Sequence, residues 1–137
     1  MKRLTLLIAA AFLFLDASAQ TLPTPIKQDM PYVKARKALI DAGWQAMPRH
    51  ILPNGTPVCY INAEMGMDAT YDEGACDFIE VSSCSGTGMG FCNMQFSDGR
   101  GFYLHITTAE GPPPRYAIVY RWDIDKKPIP PEPVSLD

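Results

Sequence analysis

The chain is short of positive charge, with 12 lysines and arginines against 15 aspartates and glutamates, and it has only two histidines, His50 and His105. Affinity for nucleic acid comes from many cations neutralising phosphates, so this balance argues against a nucleic-acid partner. Long apolar runs are missing after residue 15. Because a helix needs roughly 20 apolar residues to cross the hydrocarbon core, no membrane insertion is expected of the chain beyond that point. No Cys-x-x-Cys pair occurs, which disfavours a thiol oxidoreductase, and neither histidine stands beside a cysteine in the close pairing of zinc sites. The alternating Asp-x-Asp-x-Asp-Gly order of a calcium loop is absent, and no Gly-Lys-Ser/Thr follows the glycines at 86–90. Neither a metal nor a cofactor is expected.

The first residues carry an address. Lys2 and Arg3 precede a largely apolar run over 4–15, and Ala17 and Ala19 frame Ser18, the three parts of a cleavable secretory signal. Residues 1–19 are therefore read as a signal peptide removed between Ala19 and Gln20, which makes the mature protein periplasmic or secreted. Without Lys2, Arg3 and Asp16 the 12 basic and 15 acidic residues become 10 and 14, a net charge of −4. A partner, if it is a protein, is then expected to be basic.

All four cysteines, Cys59, Cys76, Cys84 and Cys92, lie in the exported part. An even number in an oxidising compartment reads as two disulfides. Four cysteines allow three pairings; Cys84 with Cys92 and Cys59 with Cys76 are favoured because each closes a short loop.

Residues 20–28 hold two prolines and no periodic pattern, and are expected to form a flexible lead-in. A helix should follow, with Asp29 or Met30 as its cap, Pro31 in its first turn, and Tyr32, Ala35, Leu39 and Ala42 on one face. Gly43 is placed to close it in the left-handed conformation and to let Trp44 fold back toward Leu39. Lys34, Arg36 and Lys37 fall to the solvated side. Proline and Asn54-Gly55 make 47–57 a loop, with a short strand over 58–62 after it. Glu64, Asp68, Asp72, Glu73, Asp77 and Glu80 then form an acidic segment without a lysine or arginine, read as a solvated loop.

The clearest β signal is alternation. Cys92, Met94 and Phe96 alternate with polar residues, as do Phe102, Leu104 and Ile106. A two-residue Asp98-Gly99 turn would leave the two apolar sets on opposite faces. A three-residue loop, Gly99-Arg100-Gly101, pairs Phe96 with Leu104 and Met94 with Ile106, and puts Gly101 at the left-handed third position. A third strand should run over 115–122, with its buried face undecided between Ala117, Val119 and Arg121 and the set Tyr116, Ile118, Tyr120 and Trp122. The fold expected is α+β: an N-terminal helix packed on an antiparallel β meander, in a single domain over 29–123, followed by a Pro-rich tail over 124–137. Its core should place Tyr32, Leu39 and Trp44 over Met94, Phe96, Leu104 and Ile106.

Two motifs, Tyr32-x-x-Ala-Arg-x-x-Leu-Ile-x-x-Gly-Trp44 and Cys84-Ser-Gly-Thr-Gly88 followed by Cys92, resemble those of small exported bacterial proteins of unknown function. The likeness covers roughly residues 29–122 and implies no particular activity. The Ala, Leu and Gly spacing of the helix is also similar to that of cell-wall-binding PASTA repeats, of which a single unit would be present.

Chemistry-bearing sets are sparse. Ser82, Ser83 or Ser85 beside His105 would need a shown geometry to make a triad, and no pair of carboxylates is singled out for glycoside hydrolysis. The reading is a non-enzymatic binding domain, an inhibitor or immunity-type partner of another protein, with a wall-binding module or a small envelope hydrolase as alternatives. The binding residues expected are Asp68, Asp72, Glu73 and Asp77 of the acidic segment, and Tyr103, His105 and Thr107 on the outward side of the hairpin.

Overall fold

The computed structural model describes residues 20–57, 78–85, 88–112 and 117–133. Their elements are α1 (Tyr32–Asp41), β1 (Gln45–Ala46), β2 (His50–Ile51), β3 (Val81–Cys84), β4 (Cys92–Ser97), β5 (Tyr103–Glu110), β6 (Ala117–Asp125) and β7 (Glu132–Pro133). The signal peptide, the strand expected over 58–62, Cys59, Cys76 and the four acidic candidates lie outside the described residues.

The helix forms because Tyr32, Ala35 and Leu39 recur at helical spacing and all three are fully buried. It ends as its sequence predicts. Gly43, at φ 101°, donates its N–H to the Ile40 carbonyl at 3.0 Å, and Trp44 donates to the Leu39 carbonyl at 3.0 Å. That pair of bonds satisfies carbonyls the last turn would leave open, and returns Trp44 to the core. Its start differs from expectation. Pro31 occupies the cap position with no side-chain cap bond. Asp29 instead takes φ 64° and donates its N–H to the Val119 carbonyl at 2.7 Å, while the Met30 carbonyl accepts the Val119 N–H at 2.8 Å. Asp29 and Met30 are thus bonded to β6, and Pro31 alone bonds to the helix, its carbonyl accepting the Lys34 and Ala35 N–H groups at 3.0 Å.

The lead-in is packed, not loose. Ile26 is buried in the core, Leu22 lies against it, and the Trp44 indole donates to the Pro23 carbonyl at 2.8 Å. Proline denies this segment ladder donors but leaves its carbonyls to accept.

Strands β4, β5 and β6 form an antiparallel meander, and β1 and β3 both pair with β4 on the edge that β5 leaves open. The β4–β5 register is the expected one: Phe96 faces Leu104 and Met94 faces Ile106. The loop is Gly99, Arg100 and Gly101, closed by the Asp98 N–H to the Phe102 carbonyl at 3.1 Å, with Gly101 at φ 100°. Cys84 and Cys92 stand opposite each other on β3 and β4 and are disulfide-bonded, their Cα atoms 4.1 Å apart. Met94, Phe96, Leu104, Ile106 and Val119 make the inner face and pack under Tyr32, Leu39 and Trp44. Fully burying one such side chain contributes about 1.5 to 3 kcal/mol.

The question of which β6 face is buried has a two-part answer. Val119 lies opposite Thr108 and Arg121 opposite Thr107, so Tyr120 is an extra residue and the strand is bulged there. Before the bulge Ala117 and Val119 face the core. After it Trp122 and Ile124 stand opposite Ile106 and Leu104, on the same inner side. The strand also runs beyond the expected boundary, to Asp125.

The Pro-rich tail is folded back onto the domain. β7 pairs in parallel with β2, His50 against Glu132 and Ile51 against Pro133, as a second, two-stranded sheet.

Candidate functional site: the outer sheet face

Alternation along three registered strands sends a polar set to the face away from the helix. Asn93, Thr107 and Arg121 form one cross-strand row, Gln95, His105 and Asp123 a second, and Ser97, Tyr103 and Asp125 a third. Tyr103, His105 and Thr107 therefore share one face, as the alternation predicts, and all three are half-buried. The Thr107 hydroxyl donates to Asn93 Oδ1 at 3.1 Å and accepts a longer bond, 3.5 Å, from Arg121 Nε. His105 Nε2 is buried without a hydrogen-bond partner among the described residues.

Gln95 departs from its expected solvent position and is buried. Its Oε1 accepts the Ile129 N–H at 2.8 Å and its Nε2 donates to the Ile129 carbonyl at 3.2 Å. One side-chain amide thus pairs with both backbone groups of one residue, as a neighbouring strand would. Arg49, also buried, donates Nη1 to the carbonyls of Ile129 and Pro130, and its own carbonyl accepts the Glu132 N–H at 2.8 Å. Burial lowers the Arg49 pKa from its ordinary value, opposed by the charge of Glu132. Residues 126–133 therefore form a strap over the Gln95 end of this face. Ile129 nevertheless remains 47% exposed, so the strap is held by polar groups rather than by apolar burial.

The charged side chains nearer the core are already engaged. Glu80 was expected in a solvated acidic loop and Arg36 on a solvated helix face. Instead Glu80 is fully buried and accepts from Tyr32 Oη at 2.7 Å, Arg36 Nε at 2.6 Å and Arg36 Nη2 at 3.5 Å. Residues i and i+4 of a helix share a face, which is why Tyr32 and Arg36 reach one carboxylate. Phe78 completes the corner, with the Arg36 guanidinium 4.9 Å from its ring centre. Burial, followed by the Glu80 charge and hydrogen bond, holds the Tyr32 hydroxyl well above its ordinary pKa. The Tyr and Arg of the helix motif thus both hold the buried Glu80 carboxylate, one by a hydrogen bond and one as a partly exposed ion pair.

Ser82 lies beside His50, not His105, and the His50 Nε2 contact is to the Ser82 carbonyl, while the Ser82 hydroxyl donates to the Asn93 carbonyl at 3.1 Å. Among the described residues no three His, Cys, Asp or Glu side chains gather as metal ligands, and no helix is long and apolar enough to cross a membrane. Comparison with protein-family models, curated proteins and solved structures finds no match.

Proposed function

We propose that this chain is an exported, non-enzymatic binding domain that recognises another protein, an inhibitor or immunity-type partner, through the outer face of its sheet. The observation that supports this reading is the composition of that face. Tyr103, Thr107, Arg121, Asp123 and Asp125 stand in registered rows on a rigid meander, whereas Glu80, Arg49 and His50 are committed to contacts within the fold. A tyrosine amid hydrogen-bonding and charged side chains on rigid strands suits recognition, since little side-chain entropy is lost on binding. Export rests on the signal pattern of residues 1–19, and the likeness to small exported bacterial proteins remains part of the proposal.

The test is capture from an envelope extract with the purified protein as bait, comparing wild type with Tyr103→Ala/Thr107→Ala. The reading expects a protein retained by wild type and lost from the double variant, with salt weakening capture because exposed charges are screened beyond about 8 Å at physiological ionic strength. Sedimentation with purified peptidoglycan, unaffected by the double variant, would support the wall-binding alternative instead. Mass analysis of the exported protein should find Gln20 as its first residue; a chain beginning at Met1 would contradict export with cleavage.

A further inference from the structure

We propose that the open edge of β6 pairs with the same edge of a second copy of this chain, forming a two-fold dimer centred on Trp122. β6 is the last strand of its sheet, and among the described residues its far side is covered only at Ile118, which bridges Pro31, and at Val119, which exchanges backbone hydrogen bonds with Asp29 and Met30. That contact ends the covered stretch just before the bulge at Tyr120. The tail leaves at Lys126 toward Gln95 and so runs away from this edge. Among the described residues nothing pairs with 120–125 on that side, and such a strand edge is a template for another strand.

Trp122 and Ile124 make the edge unusual. Both lie on the face that elsewhere is core, opposite Ile106 and Leu104, yet they are 37% and 38% exposed. A second copy related by a two-fold axis through the edge would continue the same face, so that inner residues meet inner residues. Two registers pair five residues of each copy within 120–125. Centring on Asp123 sets that carboxylate against its own copy, a like-charge pair that is destabilising when directly opposed. Centring on Trp122 sets the two Trp122 side chains together and places Arg121 opposite Asp123 of the other copy, twice over. The second register also uses residues 120–124 and stops where the Val119 contact begins. Among the described residues neither Arg121 nor Asp123 has an ion-pair partner within the chain, so both charges are available for it.

Such an interface is short and polar at its rim, so the dimer should be weak and concentration-dependent. It leaves most of the outer face open, and it does not depend on the binding role proposed above. Sedimentation velocity over a range of protein concentrations tests it. Wild type should shift from monomer to dimer. D123R replaces two opposite-charge pairs by two Arg–Arg pairs and should raise the dissociation constant about tenfold or more. The charge swap R121D/D123R should restore wild-type association, with far-UV circular dichroism checking that each variant is folded. A wild type that stays monomeric up to its solubility limit, a folded D123R that dimerises like wild type, or a swap that does not restore association would overturn the proposal.

Discussion

The two faces of the sheet are covered by opposite means, the outer one only at its Gln95 end. On the inner face a helix buries tyrosine, leucine and tryptophan against Met94, Phe96, Leu104 and Ile106, and a buried ion pair, Arg36 with Glu80, locks its corner. On the outer face a proline-rich strap is fastened by the Gln95 amide, the Arg49 guanidinium and a two-residue strand pair, with its one large apolar residue half in water. Apolar burial scales with area and is lost only when the face separates. Hydrogen bonds to a partly hydrated segment contribute about 0.5 to 1.5 kcal/mol each, because water takes their place on release. The inner face is therefore expected to carry the fold, and the outer strap to open without unfolding it.

The largest effect should come from truncating the inner face. Phe96→Ala is expected to cost about 3 to 5 kcal/mol in denaturant unfolding, as a fully buried aromatic leaves a cavity. Arg36→Ala should come next. Among the described residues it leaves the buried Glu80 carboxylate with only Tyr32 to donate, and breaking a fully buried pair typically costs about 3 to 5 kcal/mol. Since the Arg36 side chain is 25% exposed, about 2 to 3 kcal/mol is expected. If Arg36→Ala proved neutral, the corner would not be a fastening of the inner face.

Gln95→Ala should cost about 1 kcal/mol, because the Ile129 groups it frees can reach water. This residue marks where sequence reasoning stopped. Period-2 alternation correctly put Gln95 away from the core, but parity says which face a side chain takes and not what later covers that face. The same limit hid Glu80: its donors Tyr32 and Arg36 lie 48 and 44 residues away, and nothing local in an acidic stretch distinguishes a paired carboxylate from a solvated one. What could be read was local. The helix and its glycine stop, the Phe96–Leu104 register, and the Cys84–Cys92 pair separated by 8 residues all follow from patterns within one or two turns or strands. Pattern alone leaves the buried face of β6 undecided, and the bulge shows why: one extra residue at Tyr120 reverses the parity of everything after it. Of the candidate site, Tyr103, His105 and Thr107 were legible as outward residues, but the strap beside them was not.

The smallest effect belongs to the hairpin loop, and it depends on pH. Burial alone would raise the Asp98 pKa, but the Phe102 and Arg100 N–H groups, at 3.0 and 2.7 Å from its Oδ1, and the Arg100 charge hold it below its ordinary value. A lowered folded pKa means the carboxylate stabilises the fold above its unfolded value of about 3.9, and that contribution is lost as pH falls through the folded pKa. Asp98→Asn keeps an oxygen acceptor without the charge. Its unfolding curves should match those of wild type below that window and lie slightly lower at neutral pH; a constant difference at all pH values would exclude the ionised carboxylate as the cause.

Native-state amide hydrogen exchange tests the contrast between the faces most directly. The Phe96, Leu104 and Val119 amides should exchange only through global unfolding, with a free energy that follows denaturant stability. The Ile129 and Glu132 amides should exchange through a lower-energy local opening that depends little on denaturant, and Gln95→Ala should speed the strap amides alone. Strap amides as protected as Leu104, and slowed or accelerated together with it in every variant, would contradict the account by showing that the two faces open as one unit.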